Sequence, residues 1–155
     1  MIHYLFAFLI SMVPIIELRG AVVYAVAVDI PVLPALLICT LGNMIPVPFI
    51  YFFAIKALKW GVQRRFIGGF CRWVLRKGEA AGKKLSETAG RKGMIIAMML
   101  FVGIPLPGTG AWIGTLGASL LNMGFKSTVL AVSLGVIMAA AIMMSLSLLG
   151  FGIFT

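Results

Sequence analysis

The chain has few of the residues that carry chemistry in enzymes. Its 155 residues include one histidine, His3, two cysteines and four acidic side chains. Cys39 and Cys71 form neither a CxxC pair nor a ligand cluster, so we expect them to pack as small apolar groups. Nucleophilic or metal-assisted catalysis needs a nucleophile with a base, or a cluster of metal ligands. We therefore predict that the chain is not an enzyme and has neither a metal nor a cofactor.

Charged residues of both signs are also scarce. Only 11% of the residues are charged, whereas 62% are hydrophobic, and soluble domains typically contain about 25% and about 50% of these classes. This composition excludes a soluble globular domain. A chain of this length has room for roughly four hydrophobic segments of about 20 residues. We predict one integral membrane domain over residues 1–155.

The net charge of +9 is concentrated in one part of the chain. Eleven of the thirteen basic residues lie between Lys56 and Lys92, where only Glu79 and Glu87 oppose them. Loops rich in Lys and Arg stay on the cytoplasmic side of a membrane. The charge therefore predicts a cytoplasmic insert over residues 57–93 of a multi-pass protein in the cell (inner or plasma) membrane, and no nucleic-acid partner.

The insert contains a helical pattern of apolar and basic residues. Two readings stay open: a basic amphipathic helix in the anionic membrane interface, or a solvated loop with no specific partner. A more polar helix or linker follows over 78–93. The apolar residues are Val62, Phe66, Phe70, Trp73 and Val74, and the basic residues are Arg64, Arg65, Arg72 and Arg76.

Two of the four apolar segments are interrupted by residues that break helices. Residues 1–29 and 94–123 are broken, whereas 32–56 and 128–150 are long enough to span a membrane. The arms of the broken segments are too short to cross about 30 Å. We define the first tip as Pro14–Gly20 and the second tip as Ile104–Trp112.

Charge placement predicts that the broken segments enter the membrane and return. Lys126 joins the basic insert on the cytoplasmic side if 94–123 turns back, and Asp29 to Pro31, a loop without positive charge, then lies outside. The halves also share a weak repeat. We predict an all-α integral membrane fold, an inverted repeat of a re-entrant helical hairpin plus a transmembrane helix, with the basic insert between the halves.

The first tip, with Pro14 and Gly20, carries Glu17 and Arg19. These are the only charges in the apolar halves apart from Asp29 and Lys126, which lie at predicted loops. A charge at the bilayer centre costs at least about 3 kcal/mol, so each should face a polar cavity or a partner. Glu17 is a candidate for proton or cation binding and Arg19 for anion binding. The alternative is a structural ion pair that holds the tip together.

The second tip is a candidate backbone site. Pro105 and Pro107 remove two backbone donors, Gly108 and Gly110 permit a sharp reversal, and Thr109 supplies a hydroxyl. The helix starting near Ala111 presents free N–H groups to an anion. The alternative is a tight turn with Trp112 as a core or interface aromatic residue.

Asn43 lies in an apolar span, beside Gly42 and shortly before two prolines. Its amide either lines a substrate or proton cavity, or forms a hydrogen bond between helices.

The motifs PIIELRGA, LGNMIPVPF and FVGIPLPGTGAWIG, in this order around a basic insert, closely resemble the small multidrug export protein family. That family is similar, more distantly, to the DedA or SNARE-associated Golgi superfamily, some of whose members are implicated in moving polyprenyl-phosphate or phospholipid carriers. In that comparison Glu17 takes the acidic position of the first hairpin. The essential arginines of the DedA second hairpin have no counterpart here, although Arg19 supplies a positive charge nearby.

The functional prediction is a small transporter of an amphipathic substrate, with proton coupling. The alternatives are a polyprenyl-phosphate or phospholipid flippase or scramblase, and a non-transporting membrane scaffold. Because 155 residues make a thin pore wall, we expect a homodimer in contact with membrane lipids.

Overall fold

A computed structural model describes residues 1–106 and 109–154. All regular secondary structure in these two ranges is helical, which confirms the all-α prediction. The helices are α1 (Ile2–Met12), α2 (Glu17–Ala27), α3 (Val32–Met44), α4 (Pro46–Val62), α5 (Gly68–Gly103), α6 (Ala111–Leu120) and α7 (Phe125–Phe154).

Two stretches are long and apolar enough to cross a membrane. Val32–Val62 has 31 residues with a mean hydropathy of 1.8, and Phe125–Gly150 has 26 residues with a mean hydropathy of 2.4. At about 1.5 Å per residue, both exceed the roughly 30 Å of a bilayer core. The first comprises α3 and α4. Pro46 begins α4 at its first position, where its missing N–H costs least.

Helices α1 and α2 pack against each other as a short pair. Each has 11 residues, so each is about 16 Å long and cannot cross a bilayer alone. The connection between them includes Ile15 in the left-handed region, with φ 78°. At the far end of the pair, His3 Nδ1 and the Tyr24 hydroxyl are 2.9 Å apart. The segment thus returns to the end from which it started.

A second short pair is formed by the last part of α5 and by α6. The kink of α5 lies at Gly90, whose φ of 63° and ψ of −178° suit glycine alone. Arg91 Nε donates to Ser127 Oγ over 3.0 Å. The beginning of this pair therefore lies next to the beginning of α7, and the chain from 91 to 127 also returns to its starting end.

Small residues bring the helices of the core together. An added Cβ on Gly42 of α3 would lie 2.6 Å from the Phe8 carbonyl oxygen of α1, and one on Gly135 of α7 would lie 2.8 Å from the Met99 carbonyl oxygen of α5. Close packing through small residues is the main source of helix association in lipid. The core of the described residues includes the fully buried Ala21, Val22, Ala35, Val47, Val102 and Val132.

The basic insert differs from the predicted arrangement. Val62 and Trp73 were expected on one continuous amphipathic helix, but α4 ends at Val62 and α5 begins at Gly68. The reversal is tight, since an added Cβ on Gly68 would lie 2.5 Å from the Val62 carbonyl oxygen. From Gly68 onward the insert is helical up to the kink at Gly90, which includes the stretch predicted as a helix or linker.

Candidate functional site

Glu17 connects the two tips. It begins α2 with φ 49°, is 5% exposed, and reaches the start of α6. Its Oε2 accepts a hydrogen bond from the Ala111 N–H over 3.2 Å, and its Oε1 accepts one from the Trp112 N–H over 3.0 Å. The first N–H groups of a helix have no intrahelical acceptor. A carboxylate at this position also interacts favourably with the positive end of the helix dipole. The anion at the predicted helix-start site is thus the protein's own side chain.

Gly110 makes this approach possible. Its φ is 125°, a conformation that other residues rarely adopt. An added Cβ would also collide with the Glu17 carboxylate. Both the backbone conformation and the space therefore require glycine at this position.

Arg19 holds the other side of the second tip. Half-buried, it donates to the Leu106 carbonyl oxygen and, over 2.5 Å, to Thr109 Oγ1. Thr109 Oγ1 in turn lies 2.8 Å from the Leu106 carbonyl oxygen. We call these four hydrogen bonds of Glu17 and Arg19 to the second tip the latch. Each of the two charges has hydrogen-bond partners in the other half of the chain.

A cavity of about 760 Å³ opens beside the latch, between the first tip, α4 and α6. Five residues singled out in the sequence line it: Pro14, Glu17, Arg19, Thr109 and Trp112. The remaining wall is apolar and comes chiefly from α4 and α6, with Ile50, Phe53, Ala54, Ala57, Ile113 and Leu116. The cavity therefore has charged residues at one end and an apolar wall along the rest.

The other predicted residues lie elsewhere. Asn43 is 2% exposed, does not line the cavity, and its Oδ1 has no hydrogen-bond partner within the described ranges. Gly20 faces Ile16 of its own tip, and Pro105 lies just after the end of α5. Pro107 and Gly108 lie outside the described residues.

Sequence reasoning missed the contribution of α4. Ile50, Phe53, Ala54 and Ala57 recur at spacings of three and four, so they share one helix face. That periodicity was visible in the sequence, but it does not distinguish a cavity wall from a lipid-facing surface.

The site offers an amphipathic molecule two kinds of contact. The apolar wall suits a hydrophobic body, and the Glu17 carboxylate suits a cationic or proton-donating group. Sites of a few hundred cubic ångströms with mostly apolar walls and a few polar groups are typical of small-molecule binding.

Comparison with known protein families gives a match that includes most residues of this site. The model of a family described as "Putative small multi-drug export protein" matches residues 17–142, from Glu17 in the first tip through the second tip and into α7. No curated protein and no solved structure matches the chain. The match covers more than half of the 155 residues and agrees with the resemblance found in the tip motifs. The chain therefore belongs to this family of small multi-drug export proteins.

Proposed function

We propose that the protein is a membrane transporter that exports amphipathic molecules, and that the cavity beside the latch is its substrate site. The observation that carries this proposal is the joining of an apolar wall to buried Glu17 and half-buried Arg19 within one cavity of about 760 Å³. Charged residues inside a membrane protein are costly and are usually functional.

In this proposal both short helix pairs are re-entrant hairpins that enter the membrane from opposite sides. Two observations support it: the contact of His3 with Tyr24 closes the first pair, and that of Arg91 with Ser127 closes the second. Irregular backbone at membrane depth must be covered by protein or water. The latch supplies such cover, because Arg19 and Glu17 bind the carbonyl and N–H groups of the second tip.

A cationic amphipath fits the cavity better than a lipid phosphate. Two of the five guanidinium N–H groups of Arg19 already donate to Leu106 and Thr109, so part of its capacity for a phosphate is in use. Each Glu17 oxygen accepts one backbone hydrogen bond and has further acceptor capacity. A cation can therefore approach Glu17 without breaking the latch.

Protonation of Glu17 provides the coupling step. A neutral carboxyl group loses its favourable interaction with the positive end of α6 and becomes a weaker acceptor for the Ala111 and Trp112 N–H groups. The latch then loosens, and the two tips separate to give the cavity access to the other side. Release of the proton restores the latch.

The test is uptake of ethidium, a lipophilic cation, into proteoliposomes with and without an imposed pH gradient. We expect the unaltered protein to accumulate ethidium only with the gradient, and Glu17→Gln to lose at least tenfold in the gradient-driven rate. Glu79→Gln is the matched control because Glu79 is exposed on the insert, and it should retain full transport.

Two results would contradict the proposal. One is ethidium uptake no faster than in empty liposomes, and the other is full gradient-driven uptake by a correctly inserted Glu17→Gln protein. A parallel dithionite assay measures movement of fluorescent phosphatidylglycerol between the leaflets and tests the flippase alternative. Lipid movement without ethidium uptake would favour that alternative.

A further inference from the structure

A basic groove lies on one face of α5 within the insert and shares no lining residue with the cavity beside the latch. It encloses about 470 Å³ and is lined by Gly69, Arg72, Trp73, Arg76, Lys77 and Ala80. These positions recur at spacings of three and four, so they form one face of the helix. Gly69 and Ala80 are small, and they leave room between the three long basic side chains.

The three cations of this groove have no ion-pair partner among the residues that the structure describes. Arg72, Arg76 and Lys77 are exposed, make no hydrogen bond to any described residue, and have no acidic residue among the groove's lining. Arg72 and Arg76 are four residues apart, an arrangement in which like charges repel on a helix. An anion between them would remove this repulsion. The nearby Glu79 instead lines a separate cavity together with Lys83.

Exposed aromatic side chains lie immediately beside the cations. Trp73 is 58% exposed and Phe70 is 67% exposed, and their rings stack at 6.2 Å between centroids. Phe66, in the turn before α5, is 99% exposed. Aromatic residues next to Lys and Arg are typical of a protein surface in the headgroup layer of a membrane, where the rings enter the acyl boundary.

We infer that this groove binds the phosphate headgroup of an anionic phospholipid. Arginine guanidinium groups match phosphate oxygens in two-point hydrogen bonds, and Lys77 adds a third positive charge. Trp73 contacts the glycerol and the upper acyl chains from the wall of the same groove. The inference does not depend on the proposed transport function, since the groove and the cavity share no lining residue.

The test measures lipid binding to the purified full-length chain in detergent by native mass spectrometry. Phosphatidylglycerol and phosphatidylcholine with identical acyl chains are compared. We expect at least tenfold tighter binding of one phosphatidylglycerol. The triple variant Arg72→Gln, Arg76→Gln, Lys77→Gln should reduce this preference to less than twofold.

The matched control removes three cations outside the groove, Lys59→Gln, Lys84→Gln and Lys92→Gln, and should keep the preference. Equal loss in both triple variants would overturn the inference in favour of nonspecific attraction. No preference in the unaltered protein would also overturn it. Complete displacement of the lipid by an equal concentration of inorganic phosphate would identify a free-anion site instead.

A second pair of variants keeps the test independent of any folding defect in the triple variant. An added Cβ on Gly69 meets no atom within 4 Å, so larger side chains fit there. Gly69→Glu places an acid in the groove, and we expect at least a tenfold loss of phosphatidylglycerol binding relative to Gly69→Gln. Equal binding by these two variants would contradict a headgroup site in the groove.

Discussion

At the scale of single residues, Glu17 accepts hydrogen bonds from two backbone N–H groups that lie 94 and 95 residues further along the chain. In Glu17→Ala both donors lose their acceptor at a buried helix start. We expect the free energy of unfolding to fall by about 1–3 kcal/mol, measured as a lower thermal midpoint by intrinsic fluorescence in detergent. Glu79→Ala, at an exposed position, should change it by less than about 0.5 kcal/mol. Equal thermal midpoints for the two variants would rule out a stabilising role of Glu17 as the acceptor at the start of α6.

Gly110 should tolerate substitution poorly even by alanine. The φ of 125° and the collision of an added Cβ with the Glu17 carboxylate act together. We expect Gly110→Ala to destabilise the protein by at least about 1–3 kcal/mol and to abolish gradient-driven ethidium uptake. Gly124→Ala is the control, because an added Cβ there meets nothing within 4 Å. Normal stability and uptake in Gly110→Ala would show that the tips do not need this close approach.

The sequence predicted much of the site but not its connections. Glu17, Arg19 and Thr109 stood out because charges and a hydroxyl group were rare in apolar surroundings. That Glu17 caps α6 was not predictable, since helix caps usually come from the residue next to the helix and this one comes from the other half of the chain. The orphan N–H groups were foreseen, and their acceptor was not.

At the scale of helices, the contact of α5 with α7 depends on the absence of side chains at Gly135. An added Cβ there would lie 2.7 Å from Val102 Cβ. We expect Gly135→Ala to lower the thermal midpoint of unfolding, because the two helices must move apart. The control is Gly117→Ala, whose nearest contact would be the Met98 Cε at 3.9 Å. A Gly135→Ala midpoint at or above that of Gly117→Ala would contradict this packing.

The helix boundaries also show which sequence signals were sufficient. The prolines and glycines of the second tip predicted a helix end before Ile104 and a helix start near Ala111. In the structure α5 ends at Gly103 and α6 begins at Ala111. The turn over 63–67 was missed because the apolar period continues from Val62 to Trp73 without a proline. There the reversal is specified by contacts of Gly61 and Gly68, including an added-Cβ distance of 2.6 Å from Gly61 to Cys71 Sγ. Close backbone approach of this kind has no local pattern.

At the scale of the whole molecule, re-entrant hairpins predict which residues share a side of the membrane. Cysteines are introduced one at a time as Lys84→Cys, Lys126→Cys and Asp29→Cys. The first two should react with an impermeant maleimide only from the cytoplasmic side, and the third only from outside. Native Cys39 and Cys71 are buried and should react little. If 94–123 crossed the membrane fully, Lys126 would be labelled from outside, which would refute the second hairpin.

The latch also has a consequence for how the chain is made. If the first tip enters the membrane as proposed, Glu17 and Arg19 do so before their partners exist. Those partners, Leu106, Thr109, Ala111 and Trp112, are synthesised about 90 residues later. At roughly 5–20 residues per second, this delay lasts about 5–20 s. In the proposed arrangement, the nascent first half carries both charges during that interval without their hydrogen-bond partners in the second tip. We therefore expect completion of the second half to stabilise the inserted first half.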